Sequence, residues 1–213
     1  MNPQPNFDRV ARIYRWSEYL ALGPLLQRTR THFLPQLTHC RNALLLGDGD
    51  GRFLAALLAS NPELHAVTVD TSAAMLQLLH QRCERIASSR LQTIQASALE
   101  VAVPPATDLV TTHFFLDCLT QTEVDQLVQK IAAHTQSGML WVLSDFAVPA
   151  SRIARPLAKL YIRALYLAFR ILTGLRVQSL PDPQAALTRA GFTCIARKQI
   201  LRGLIYTEIW QRT

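Results

Sequence analysis

The chain has 213 residues, 49% of them apolar and 17% charged. That suits one ordinary globular domain with a large core, or two small ones, and it is too apolar for a disordered chain. Of the formal net charge of +7, six basic residues (Arg152, Arg155, Lys159, Arg163, Arg170 and Arg176) fall in residues 151–176 with no acidic one beside them, leaving sixteen basic against fifteen acidic residues elsewhere. The basicity is therefore local, and the uniformly basic surface of a general nucleic-acid binder is excluded. Cys40, Cys83, Cys118 and Cys194 form no CxxC pair and no Cys-His cluster with zinc spacing, so they read as reduced thiols of a cytoplasmic protein that needs no metal. The opening MNPQPNFDRV lacks the apolar stretch of a signal peptide. The most apolar stretch, 156–175, contains Lys159, Arg163 and Arg170. At about 2.5–3.5 kcal/mol for each charge near a bilayer centre, it is not a spanning helix.

Residues 7–38 read as two helices split at Gly23-Pro24, with Pro in the first turn of the second. A short apolar run, 41–46, stopped by Gly47, is a buried parallel strand, and a helix over 52–60 follows, closed by Asn61-Pro62. A second strand over 65–69 ends at Asp70, and Ser72 caps a helix over 73–87. Strands are expected at 91–95, 108–112 and 139–143, with a helix over 120–135 before the last of these. The basic helix covers 156–173, and a short helix covers 184–189. Two closing strands, near 192–200 and 204–211, turn on Arg202-Gly203 as a hairpin. Strands alternating with helices mean a doubly wound α/β fold: a mostly parallel seven-stranded sheet, Rossmann-like, with an antiparallel edge hairpin and ligands at the carboxyl ends of the strands. One domain accounts for the chain, with a helical lid at 1–40, a core at 41–146, the basic helix at 151–176 and a closing helix and hairpin at 181–213.

Directly after the first strand comes Gly47-Asp48-Gly49-Asp50-Gly51-Arg52. Alternate glycines free the backbone for positive φ and let a ligand approach the main chain. A dinucleotide loop would want glycine where Arg52 stands, and Asp48 and Asp50 would sit against phosphates, so a cationic, phosphate-free ligand suits the loop better than NAD. Asp70, nineteen residues after Gly51, stands where a carboxylate can accept both hydroxyls of a ribose. Each feature has a plainer reading as well, a tight turn for the loop and a helix cap for Asp70.

The runs LLLGDGDGRFL (44–54), VTVDTSAAML (67–76) and DLVTTHFFLDCL (108–119), with the strand into Ser144-Asp145-Phe146, resemble the successive motifs of class I S-adenosylmethionine-dependent methyltransferases. The resemblance implies that Gly47, Asp48, Gly49 and Gly51 face the methionine and ribose of S-adenosylmethionine. It implies that Asp70 and Thr71 hold the ribose, that Met75, Ser97 and Ala98 surround the adenine, and that His113 borders the cofactor. Two positions depart from the pattern: Leu45 stands where many members carry an acid two residues before the first glycine, and Ser97 where many carry Asp. Asp48 or Asp50 can answer the first, the Ser97 hydroxyl the second. The departures also keep open a non-catalytic protein on the same fold.

Methyl transfer from a sulfonium is an in-line displacement that alignment alone can accelerate, and a hydroxyl acceptor adds the need for a base. The candidates are His113, Asp117 and Asp145, at the ends of the fourth and fifth strands. His113 reads equally as base, as acceptor-site lining or as a packed histidine. Residues 7–14 with Gly23 are similar to the opening of the quinone C-methyltransferases, which implies a lid bringing Tyr14 over the cofactor. Tyr14, Phe114, Arg163 and Tyr166 are the expected acceptor contacts. On the basic helix Lys159, Arg163 and Arg170 fall within about 40° of one another, beside Tyr166, and the other faces are apolar. That pattern suits contact with a small lipophilic acceptor, a membrane surface or a second copy of the chain. The expectation is a cytoplasmic, or membrane-peripheral, methyltransferase of small molecules.

Overall fold

The apolar runs of the sequence become strands where they are too short for helices and end in glycine, Asp or a turn. A computed structural model describes residues 22–149, 151–173 and 180–213. In chain order its elements are α1 (Gly23–Thr31), β1 (Asn42–Leu46), α2 (Arg52–Ser60), β2 (His65–Asp70), α3 (Ala73–Ala87), β3 (Leu91–Gln95), β4 (Leu109–His113), α4 (Gln121–His134), β5 (Leu140–Phe146), α5 (Ala154–Thr173), α6 (Pro183–Arg189), β6 (Phe192–Ile200) and β7 (Ile205–Arg212). The seven strands form one sheet in the order β3-β2-β1-β4-β5-β7-β6. β1 to β5 run parallel to one another, with Leu46 opposite Val69 and Thr112, and His113 opposite Ser144. β7 runs antiparallel to both β5 and β6. The connections reverse direction at β1, and doubly wound sheets bind ligands at that switch point.

Alternation along β1 builds two cores. Leu44 and Leu46 face a cluster completed by Val124, Leu127, Val128 and Ile131 of α4, with Trp141, Phe192 and Trp210. Ala43 and Leu45 face the opposite cluster, with Phe53, Leu54, Leu57 and Leu58 of α2 and Leu79 and Cys83 of α3. At about 1.5–3 kcal/mol for each fully buried Leu or Phe, these two layers hold the sheet between its helices. Local signals end the helices that flank it. Thr120 and Glu123 form a reciprocal capping box at the start of α4, and Asp182 accepts the Ala185 N–H at 2.9 Å ahead of Pro183 in α6.

Several expected boundaries move. The helix expected to run to residue 38 ends at Thr31, and residues 34–36 form a 3₁₀ turn instead. Pro35 has no N–H to donate and its ring would strike the carbonyl four residues back. β4 ends at His113 rather than Thr112, and Asp108 stands outside it, accepting the N–H groups of Arg41 at 2.7 Å and Asn42 at 2.8 Å. β5 continues to Phe146, because β7 pairs with it as far as Phe146 opposite Ile205. The turn between the last two strands is a 3₁₀ turn over Leu201–Gly203, with Leu201, Arg202 and Gly203 all at positive φ. The first expected helix and Tyr14 lie outside the described residues. No helix among the described residues is long and apolar enough to cross a membrane.

Candidate active site

The loop Gly47–Gly51 leaves β1 with all three glycines in the left-handed region, at φ 67°, 64° and 78°. The three positions differ in their surroundings. A Cβ on Gly47 would strike the ring of Phe115, and one on Gly51 would come within 2.7 Å of Leu79 Cγ. At Gly49 it would meet none of the described residues within 4 Å. Gly47 and Gly51 thus pack the loop onto the turn after β4 and onto α3, whereas Gly49 turns its backbone toward open space.

The two acids of the loop are engaged by the protein. Asp50 Oδ2 accepts from Arg52 Nε at 2.9 Å and Arg82 Nη2 at 3.0 Å. Asp48 Oδ2 accepts the Leu54 N–H at 3.2 Å, capping a helix whose N-cap is a glycine. Desolvation pushes the Asp48 carboxyl up to about 7, opposed by the nearby Arg30 guanidinium. Of the two, Asp48 remains able to meet a cationic ligand. Leu45, by contrast, is fully buried in the core against α2, so the acid often found at that position has been exchanged for packing.

Asp70 ends β2 on the same edge of the sheet, and its Oδ1 accepts the Ser72 N–H at 2.9 Å, which orients the carboxylate. The cap of α3 comes from Ser72, whose Oγ accepts from Met75 N at 3.2 Å. The Thr71 carbonyl takes a bond from Gln95 Nε2 at 3.3 Å, and Met75 is buried in the first turn of α3. Ser97 Oγ accepts the N–H of Leu99 at 3.3 Å, opening a turn that Lys130 clamps through the carbonyls of Ala98 and Val101.

His113, at the end of β4, is only 4% exposed. Its ring lies edge-on to Phe53 at 4.2 Å, and Nδ1 is 2.8 Å from Ser144 Oγ. Ser144 in turn donates to Thr207 Oγ1 at 2.9 Å. Nε2 is buried with no hydrogen-bond partner among the described residues. Desolvation, helped by the Arg30 charge, lowers the imidazole pKa to about 3, so the ring is neutral across the physiological range.

Beyond His113 the backbone turns at Phe114, a non-glycine residue at φ 54°, into a 3₁₀ turn over Leu116–Cys118. This turn sets Asp117 against Asp145: the Asp117 N–H donates to Asp145 Oδ2 at 3.2 Å, which brings the two buried carboxyl groups close together. Burial raises both, Asp117 to about 6 and Asp145 well above the carboxylate range, where the neighbouring Asp117 charge adds to the effect. Tyr166 of α5 donates its hydroxyl to the Asp117 carbonyl at 3.0 Å. Among the described residues, no group of three or more His, Cys, Asp and Glu side chains is arranged to hold a metal.

The fold thus brings the glycine loop, Asp70, His113, Asp117, Asp145, Phe114 and Tyr166 to one edge of the sheet. It leaves Arg163 exposed on the outer side of α5. Sequence reasoning missed Arg30, whose Cζ lies 5.2 Å from the centre of the Phe114 ring, and the aromatic series that continues from Phe114 to Phe146 at 5.2 Å and on to Tyr161 at 6.4 Å. It also missed Phe115 beneath Gly47. A clue was available only for Phe115, in the Phe114-Phe115 pair after the fourth strand.

Residues 43–138 match the family model of the methyltransferase domain. That match and the seven-stranded sheet agree with the resemblance to class I S-adenosylmethionine-dependent methyltransferases. A search of curated protein sequences finds no match. Among solved structures the chain is similar to an O-methyltransferase family protein from Burkholderia thailandensis (TM-score 0.73, 15% identity, covering 99% of this chain and 64% of that one). It is similar also to an O-methyltransferase family 2 protein from Planctomyces limnophilus in complex with apigenin (TM-score 0.71, 19% identity, 97% and 62%). A third is the N-methyltransferase NodS from Bradyrhizobium japonicum (TM-score 0.59, 16% identity, 88% and 96%). The chain spans about three fifths of the length of the two O-methyltransferases.

The cleft residues fit S-adenosylmethionine, the cofactor that the resemblance implies. The space before Gly49 admits a ligand against the main chain, and the carboxylates of Asp48 and Asp70 suit a cationic, phosphate-free molecule with a ribose.

Proposed function

We propose that the chain uses S-adenosylmethionine to methylate a hydroxyl of a small lipophilic acceptor at the carboxyl ends of β4 and β5. The observation that carries this reading is the buried Asp117–Asp145 pair, set by the β4 turn on the same sheet edge as the glycine loop and Asp70. The O-methyltransferases of the same fold agree with it.

When bound, S-adenosylmethionine supplies an electrophilic methyl group, and the chain's own residues supply position and a proton sink. Gly49 and Asp48 accommodate the methionine end, Asp70 and Thr71 the ribose, and Met75, Ser97 and Ala98 the adenine. Phe114 and Tyr166 line the acceptor side, with the Phe146 ring as a further apolar wall. The Asp117–Asp145 pair shares a proton, and its ionised oxygen takes the proton of the acceptor hydroxyl. A carboxyl raised to about 6 is a far better base at neutral pH than an ordinary one. His113, held neutral, offers its Nε2 to the acceptor hydroxyl and orients it; at a pKa of about 3 it is too weak a base to take the proton outright. Outside the site, α5 makes contact with a membrane surface or with a second copy of the chain.

The test is calorimetric titration of the full chain with S-adenosylhomocysteine, followed by the same titration of Asp70→Ala. Binding by the parent, weakened ten- to a hundredfold in the variant, is expected from the loss of charge-assisted bonds worth about 1.5–3 kcal/mol each. No heat with the parent chain would sink the enzyme reading and leave a non-catalytic protein that kept the fold.

A further inference from the structure

The outer side of α5 carries two adjacent stripes that the catalytic reading does not use. Ile153, just before the helix, and Leu157, Leu160 and Leu167 along it are 82%, 74%, 68% and 57% exposed. At 100° per residue Leu157, Leu160, Ala164 and Leu167 fall within about 80° of one another. Ala158 and Ile162 point the other way and are buried, with Tyr161, Leu165 and Tyr166 half-buried beside them. Exposed Lys159 and Arg163 border the apolar stripe on one side, and exposed Arg152 and Arg155 stand at its amino-terminal end. Isolated exposed leucines are ordinary. A continuous solvent-facing row of branched aliphatic side chains is not, and it marks a surface that meets something apolar.

Three occupants compete for this surface. From Ile153 to Leu167 the stripe runs about 21 Å at 1.5 Å per residue, longer than a small acceptor molecule covers. A twofold contact with a second copy would set Lys159 and Arg163 against the same cations, and residues 151–176 contain no acid to answer them. A bilayer with anionic lipids satisfies both stripes at once, because the leucines enter the acyl boundary while the cations meet phosphate headgroups. We infer that α5 is an interfacial helix that seats the protein on an anionic membrane surface through Ile153, Leu157, Leu160 and Leu167, with Arg152, Arg155, Lys159 and Arg163 as its headgroup contacts. It lies on the bilayer and does not cross it.

The experiment is sedimentation of the full chain with vesicles of phosphatidylcholine alone and with about 30 mol% phosphatidylglycerol, a typical anionic fraction, at low and high salt. Binding at least about tenfold stronger to the anionic vesicles, and weakened by salt, is expected. Leu157→Ser with Leu160→Ser, both outward-facing and checked for native circular dichroism, should reduce it by about tenfold or more. Arg155→Gln with Lys159→Gln should reduce it several-fold. Three results would overturn the inference: no preference for anionic vesicles, undiminished binding by the leucine pair (adsorption by net charge alone), or a dimer in analytical ultracentrifugation that the leucine pair abolishes while vesicle binding is absent.

Discussion

Replacing Gly49 and Gly51 one at a time by alanine separates what the loop does for the fold from what it does for a ligand. Both residues sit at positive φ, where an L side chain costs about 1–2 kcal/mol, offset by about 0.4–1 kcal/mol from the stiffer unfolded chain. At Gly51 the new methyl also lands 2.7 Å from Leu79 Cγ and 3.0 Å from Leu79 Cα, a backbone atom that α3 holds in place. Such overpacking costs about 1–3 kcal/mol more. Gly51→Ala should therefore lose about 2–4 kcal/mol, a fall in Tm of roughly 10 °C for a chain of this size. Gly49→Ala meets none of the described residues and should lose only about 1 kcal/mol, a few degrees. In S-adenosylhomocysteine titration below both melting points the order reverses. Gly49→Ala should lose affinity by about tenfold or more because its methyl occupies the ligand's space, while Gly51→Ala, where folded, should lose less. Thermal denaturation and calorimetry on the same samples decide the matter. Unchanged affinity in Gly49→Ala would mean that the space before Gly49 is not where the ligand lies.

The proton sink is tested by Asp117→Asn, which should lower turnover about a hundredfold and remove the inflection near pH 6 from the kcat/KM profile, with S-adenosylhomocysteine affinity unchanged; a retained inflection would assign the base elsewhere. His113 makes an opposite-signed prediction about stability. Its folded pKa of about 3 lies below the unfolded 6.5, so the unfolded chain binds the extra proton and stability drains away as pH falls from 6.5 toward 3. At about 1.4 kcal/mol per pH unit the loss reaches a few kcal/mol by pH 4. His113→Asn keeps a polar partner for Ser144 but does not titrate, so its urea midpoint should fall less than the parent's between pH 7 and pH 4. Parallel declines would mean that the imidazole is not buried in its neutral form.

What the chain declares on its own is what resides in short contiguous stretches. Apolar runs of four to six residues ending in glycine or Asp make parallel strands whatever surrounds them, and Gly47, Gly49 and Gly51 permit a backbone other residues resist. Asp70 at a strand end and the cation-lined helix are legible for the same reason. Tertiary structure decided the roles. Asp117 and Asp145 lie 28 residues apart and become one carboxyl pair only because β4 and β5 are neighbours and Phe114 turns the chain back. Arg30 reaches Phe114 across 84 residues of chain. His113 reads as base, lining or filler until burial against the Phe53 ring, beside Ser144, keeps it neutral. The helix at 154–173 could have turned any face inward. Packing buried Ala158 and Ile162 and left the leucine row outside, because which side of a helix a sheet covers depends on the register and angle of the elements beneath it, and one-dimensional periodicity does not encode these.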